Sequence, residues 1–439
     1  MRRVLIVTNA YAPAMIADMQ RARHLAWELP KLGWEVEILA PDAAFQPPSC
    51  LDRDSDEFFA PDTPVHFVKE ALPRLFRAVG LRSVGWRAFL PVLRTGSRLL
   101  RTGRYDLVYL STANFPLFLL GPTWRKRHRV PFVLDFHDPC YREGPSHPMW
   151  ARPTLKHAVS HWLSRYIETH AVTAASGIVS VSPNYVNELS LRYQAVNPVW
   201  LRNRRTRVIP FAASPRDLEI ASIGIERARI PTDKKTVVYV GSGGPIMHRS
   251  FSLLCRALAF LRNERLTPVE KMRIKLYGTL RGWQGSEHRH LAEIAHESGV
   301  GDLIEERPSG ISYRRSLELL QESDGALILG VDDVGYMPSK LFTYACSGKP
   351  LLAALRKDGP AYAQFHRDPS LGHTLWFGQS GDMLLDAAAD VLERFLGEVF
   401  RCQSFDRTLG LEPFLACNMA SRHVEFFDSV CEFAMAGLR

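Results

Sequence analysis

The chain has 439 residues, of which 46% are hydrophobic and 23% charged. That is an ordinary globular balance, and at roughly 150 residues per domain it implies two or three domains. Scattered glycine and proline exclude a collagen-like or low-complexity chain. No apolar run reaches the ~18 residues of a membrane span, and Val4–Val7 is too short for a signal-peptide core. A cytoplasmic protein is expected. The seven cysteines form no CxxC pair, and His24, His128, His157, His161 and His170 lack ligand spacing, so reduced thiols and no metal are expected.

The net charge of +9 is uneven. Residues 1–213 hold 28 Lys+Arg against 17 Asp+Glu, whereas residues 214–439 hold 27 against 29. No acid lies between Glu70 and Asp106, but Arg74, Arg77, Arg82, Arg87, Arg94, Arg98, Arg101 and Arg104 do. The stretch fits a solvated helix face or an anionic partner, either a membrane surface or nucleic acid. Phe76, Trp86 and Phe89 suit the apolar face of a helix better than a platform for bases, so no nucleic-acid partner is expected.

In chain order, Arg2–Thr8 reads as a strand, Asp18–Leu32 as a helix closed by Gly33, and Glu35–Ala40 and Val65–Lys69 as strands. Strand Asp106–Ser111, helix Phe115–His128 and strand Pro131–Phe136 follow. A long helix over about 153–175 leads to strand Gly177–Ser182. The rhythm restarts after Arg207–Pro210, with strand Thr236–Val240, helix Phe251–Leu261 and strand Met272–Tyr277. Helix Glu287–Ser298, a strand near Leu303–Glu306, helix Ser312–Glu322, strand Gly325–Leu329, helix Ser339–Ser347 and strand Pro350–Ala354 complete it. Strands joined by such helices make parallel sheets covered on both faces. Two α/β units meet near residues 211–235. Ligands of these sheets bind beyond the carboxyl ends of the strands, and a cleft between two such units is the default site. No strand leads into GxGxxG, which argues against a dinucleotide-dependent oxidoreductase.

The clearest local signal is Gly335-Tyr-Met-Pro-Ser-Lys-Leu-Phe-Thr-Tyr-Ala-Cys-Ser-Gly-Lys-Pro350. Pro338 or Ser339 opens a helix whose free N–H groups, with Lys340, suit a diphosphate. A plain capped helix is the other reading. The segment resembles the PSKxxEYxxxGKPxxA signature of the retaining glycosyl transferases group 1, which are nucleotide-sugar dependent enzymes of the GT-B fold. Asp135-Phe-His-Asp-Pro139, Ile178–Leu189, Val208–Ala212 and Val240-Gly-Ser-Gly-Gly244 resemble further segments of that family, in the same order.

The resemblance implies two Rossmann-like doubly wound parallel-sheet domains facing a cleft. Residues 1–212 would take the acceptor, and residues 213–412 a nucleotide-diphosphate sugar as donor substrate, with no other cofactor. A helix over about 413–439 would pack back onto the first domain. Gly241, Gly243 and Gly244 would let backbone N–H groups approach the diphosphate, with Arg249, Ser339 and Lys340 as further contacts. Thr343 stands where the family's glutamate grips the ribose, and Gly335 where it has another glutamate. Pro13–Asp18 and Ala212 replace two glycine turns. Asp332 or Asp333 is an alternative ribose ligand. Asp135, His137 and Asp138, at a strand's carboxyl end, would orient an acceptor hydroxyl or take its proton.

The implied function is transfer of a sugar to a lipid-linked or glycan acceptor, with retention, at the inner membrane face. There the arginines of 74–104 would meet an anionic surface. The alternative is a catalytically degenerate GT-B scaffold that binds a glycan or a partner enzyme.

Overall fold

The computed structural model describes residues 1–46, 51–71, 83–143, 155–223, 234–265, 267–279 and 288–436. The chain forms two compact units, Met1–Phe211 with Ala416–Arg439, and Ala212–Leu415.

The first unit is built on seven strands: β1 (Arg2–Val7), β2 (Trp34–Pro41), β3 (Val65–Val68), β4 (Leu107–Ser111), β5 (Phe132–Phe136), β6 (Gly177–Ser180) and β7 (Thr206–Val208). They pair in the order β3-β2-β1-β4-β5-β6-β7, and every pairing is parallel. The order reverses between β1 and β4, the doubly wound pattern expected from the sequence. Strands β4, β5 and β6 are buried along their whole length, which is why they read as continuous apolar runs rather than alternating ones. Helix Val84–Thr102 is capped by the Ser83 hydroxyl. It presents Gly85, Ala88, Val92, Gly96 and Leu100 to the core at helical spacing. Gly96 is required there, because a Cβ would come within 2.3 Å of the Trp124 ring.

The last helix, Ala416–Ala436, also belongs to this unit. Its Phe427 packs edge-on against Trp34 and Tyr109, at centroid distances of 5.6 and 5.0 Å. A Cβ on Gly177 would meet Phe426 at 2.7 Å, so the glycine is what lets this helix approach β6.

The second unit repeats the plan with β8 (Lys235–Val240), β9 (Met272–Tyr277), β10 (Ile304–Arg307), β11 (Gly325–Leu329), β12 (Leu351–Arg356), β13 (His373–Gly378) and β14 (Gly381–Asp382). The order is β10-β9-β8-β11-β12-β13-β14, with only the two-residue β14 antiparallel. Helices His248–Glu264 and Leu385–Phe400 bury Phe251, Leu254, Leu258, Leu392, Phe395 and Val399 in one core.

Three sequence expectations need correction. Phe115–His128 is a 3-10 turn, Phe115–Leu119, running into an α-helix, Leu120–His128. The helix expected over Ser339–Ser347 is shorter, Leu341–Cys346, with Lys340 rather than Pro338 or Ser339 as its N-cap. Arg87 is not part of a freely solvated face, since it pairs with Glu70 at 2.7 Å. Arg74, Arg77, Arg82 and Phe76 lie outside the described residues. No described helix is long and apolar enough to cross a membrane.

Candidate functional site

In the first unit the candidate residues gather at the carboxyl ends of β4 and β5, beside the reversal of strand order. The parallel register sets Ser111 against Asp135. The Ser111 hydroxyl donates to Asp135 Oδ2 at 2.8 Å, and His137 Nε2 donates to the same oxygen at 2.7 Å. The third partner comes from helix Gln20–Glu28: Arg21 Nε lies 2.8 Å from Asp135 Oδ2, with both side chains fully buried. Arg21 also donates to the Ile209 carbonyl at 2.6 Å and lies 5.3 Å from the centre of the Phe211 ring.

Burial opposes ionisation of Asp135, but Arg21 and then His137 outweigh it and hold the carboxyl well below the usual range. Asp135 was expected to meet an acceptor. It is fully buried, and its Oδ2 lies within 2.8 Å of Arg21 Nε, the Ser111 hydroxyl and His137 Nε2, while Oδ1 has no hydrogen-bond partner among the described residues. Its carboxylate holds the His137 ring by Nε2. His137 Nε2 faces the carboxylate, and its Nδ1 has no hydrogen-bond partner among the described residues. Its ring packs edge-on against Phe211 at 4.9 Å. Asp138 is exposed.

Behind this cluster lies a second buried histidine. Tyr109 donates to His423 Nε2 at 3.1 Å, and His423 Nδ1 donates to the Met419 carbonyl at 2.7 Å. Burial, with Arg21 nearby, pushes the His423 pKa down to about 3. Neither Arg21 nor His423 was singled out from the sequence. Arg21 sits in Gln-Arg-Ala-Arg-His, which reads as an exposed polar turn, and its partner lies 114 positions away.

In the second unit the glycine turn follows β8 directly. Gly241 has φ +145° and Gly244 φ +76°, backbone that favours glycine. Gly243 is held tightly, because a Cβ there would meet Thr279 at 3.0 Å and Leu291 at 3.2 Å. The Tyr344 hydroxyl receives the Val240 N–H at 3.0 Å and donates to the Val240 carbonyl at 3.2 Å. Lys340 donates to that same carbonyl, and its ammonium lies 4.5 Å from the Tyr239 ring centre. Lys340 and the Gly241 turn are therefore in contact, but the Gly241 and Gly243 N–H groups, expected to face a diphosphate, donate to the Tyr277 and Thr279 carbonyls at 2.9 and 3.0 Å. Ser339 and Thr343 are half-buried at the same short helix.

Arg249, the second residue of helix His248–Glu264, is more constrained than expected. It pairs with Asp332 at 3.1 Å and Asp382 at 2.9 Å, and donates to the Gly378 carbonyl at 2.5 Å. Two carboxylates thus already balance the charge that was expected to face a phosphate. Asp332 is also bonded to Arg356. Asp333 accepts the Gly335 N–H at 3.0 Å. Asp332 is thereby committed to arginines rather than offered to a ribose.

Residues 19–212 match the glycosyl transferase 4-like domain family. Solved structures resemble the whole chain. HepE from Anabaena, in complex with UDP and glucose, is 17% identical, with a TM-score of 0.60 over 98% of this chain and 100% of that one. A UDP-forming trehalose-phosphate synthase from Burkholderia vietnamiensis is 13% identical, with a TM-score of 0.61 over 97% and 100%. A glycosyltransferase from Rickettsia africae is 13% identical, with a TM-score of 0.58 over 98% of each chain. No curated protein matches in sequence. The doubly wound GT-B fold expected from the motifs is the fold these structures share.

Proposed function

We propose that this GT-B glycosyltransferase, whose residues 19–212 are a glycosyl transferase 4-like domain, uses a nucleotide-diphosphate sugar as donor. It passes the sugar to a lipid-linked or glycan acceptor with retention. The observation that carries the donor reading is the contact between Lys340 and the left-handed turn at Gly241. The Gly241 and Gly243 N–H groups donate to the Tyr277 and Thr279 carbonyls, so what the turn offers is close approach past a backbone without side chains, and the Lys340 ammonium supplies the charge-assisted bond that a diphosphate needs. A phosphate oxygen would take the place of the Val240 carbonyl as an acceptor for Lys340. HepE and the trehalose-phosphate synthase, both named with UDP, make UDP the first probe.

His137 is the acceptor-side group in this reading. Asp135 fixes its orientation and leaves Nδ1 to accept a hydrogen bond from the acceptor hydroxyl, which holds that hydroxyl in place. The departing diphosphate oxygen takes up the acceptor proton as the new bond forms, so no protein nucleophile is assigned. Membrane association rests on Arg94, Arg98, Arg101 and Arg104, all exposed. The surface they offer is basic, and each such charge near an anionic bilayer contributes ~1 kcal/mol.

Calorimetric titration with UDP, GDP and ADP tests the donor reading, followed by analysis of sugar release from the matching nucleotide sugars. Micromolar binding of one nucleotide supports transfer. One observation favours a scaffold instead: Lys340 and Arg249 are both already engaged, and Thr343 offers no carboxylate. Absence of binding by any nucleotide would make the scaffold the better account.

A further inference from the structure

We propose that His288, His290 and Glu293 bind a divalent transition-metal ion of the zinc type. This site is separate from the donor reading and does not depend on it. One ligand atom from each of the three residues lies within 4.8 Å of the others. His288 Nδ1 stands 3.2 Å from Glu293 Oε1, and the two imidazole centroids are 6.1 Å apart. Small side-chain rotations bring such a set to the ~2.0–2.2 Å bonds that zinc makes with nitrogen and carboxylate oxygen.

An ordinary surface ion pair between His288 and Glu293 does not account for His290. Its Nε2 is buried and has no hydrogen-bond partner among the described residues. A buried ring nitrogen left unpaired is costly, and a metal bond is one way to satisfy it. Two imidazoles and one carboxylate are a borderline-soft donor set, which suits zinc or cobalt over magnesium or calcium.

The framework beneath the set is fixed. The ligands occupy the entry and first turn of helix His290–Glu297. Buried Glu306 accepts the Ala292 N–H at 2.8 Å and the Thr279 hydroxyl at 2.5 Å, which pins that turn to β10. Leu291 and Thr279 are also the two side chains that close around Gly243. The His290 ring lies 5.9 Å from that of His248, which opens the helix after the glycine turn. Three protein ligands leave a fourth tetrahedral position for water, an anion or His248.

The test uses the full chain, stripped with a chelator and then titrated with Zn2+ by calorimetry and with Co2+ by visible absorption. The expected result is one ion per chain, a Co2+ spectrum of tetrahedral type, and a melting temperature raised by Zn2+. His288→Ala and His290→Ala should each weaken Zn2+ binding at least tenfold. Glu293→Gln, which keeps the side-chain volume, should weaken it less but abolish the tetrahedral Co2+ spectrum. His170→Ala, elsewhere on the surface, should change nothing. The proposal is overturned if the wild type binds no ion at a hundredfold excess, or if the double variant His288→Ala/His290→Ala binds as tightly as wild type.

Discussion

A β-carbon on Gly241 would stand 1.7 Å from the Lys340 ammonium nitrogen. Gly241→Ala therefore does two things. It forces an alanine to φ +145°, at a cost of about 1–3 kcal/mol, and it expels Lys340 from the turn. Nucleotide affinity should fall at least tenfold, with a lowered melting temperature. Lys340→Ala should weaken affinity by the same factor while the melting temperature stays near wild type. Calorimetry beside thermal melting checks both, and unchanged affinity in folded Lys340→Ala removes Lys340 from the site.

Asp135→Asn leaves the Arg21 guanidinium buried without its counter-charge. The expected loss of stability is about 3–5 kcal/mol, read by urea unfolding. The double variant Arg21→Met/Asp135→Leu should recover part of it. Because the folded-state pKa of Asp135 is depressed, its contribution is fully present above the ordinary carboxylate pKa of about 4 and fades as pH falls below that value.

His423 gives a second acid-side effect in a different window. Its pKa falls from 6.5 unfolded to about 3 folded, so the unfolded chain binds the extra proton between those values. Stability should decline as pH drops below 6.5, by at most about 1.4 kcal/mol per pH unit from this group. His423→Gln should flatten the slope of melting temperature against pH between 6.5 and 5. An equal slope in both proteins would remove His423 as its source.

Thr343→Glu separates enzyme from scaffold. If a nucleotide binds beside the Leu341–Cys346 helix, a carboxylate there gains ribose hydroxyls as donors. Affinity should hold or rise, by up to about 2 kcal/mol. In a remodelled site the new charge meets no donor, and the melting temperature falls without any binding.

Flotation with liposomes tests the basic helix. Binding should require acidic phospholipid and weaken steeply with salt. Arg94→Gln, Arg98→Gln and Arg101→Gln in combination should release the protein. Arg87 is left in place, since Glu70 already neutralises it. Equal binding to neutral vesicles would leave these arginines as a solvated face only.

Most of the fold was legible because the buried strands carry an unmixed apolar signal: Val4–Val7, Leu107–Leu110 and Ala326–Leu329 admit few other readings. Strand β13 was not, since His373-Thr-Leu-Trp-Phe-Gly mixes polar and glycine residues. Gly372 before it packs a backbone so close that a Cβ would meet the Leu351 carbonyl at 2.3 Å. Asp135 and His137 stood out by their place at a strand end. What could not be read was their environment. Ion pairing between Arg21 and Asp135, or between Arg249 and two acids, is a property of the packed chain, and nothing in the spacing announces it.

The helix Ala416–Ala436 has a consequence for how the molecule is made on the ribosome. The first unit lacks one of its faces until residues 416–436 have been made, because Phe426 and Phe427 supply the cover for Gly177, Trp34 and Tyr109. At about 5–20 residues per second, the second unit's roughly two hundred residues take tens of seconds to emerge. Through that interval Trp34 and Tyr109 are without the Phe427 ring that packs on them in the finished unit. The second unit, being one continuous stretch of chain, has no such wait once it has left the exit tunnel. The order of completion is thus the reverse of the order of synthesis: the half that begins first is finished last.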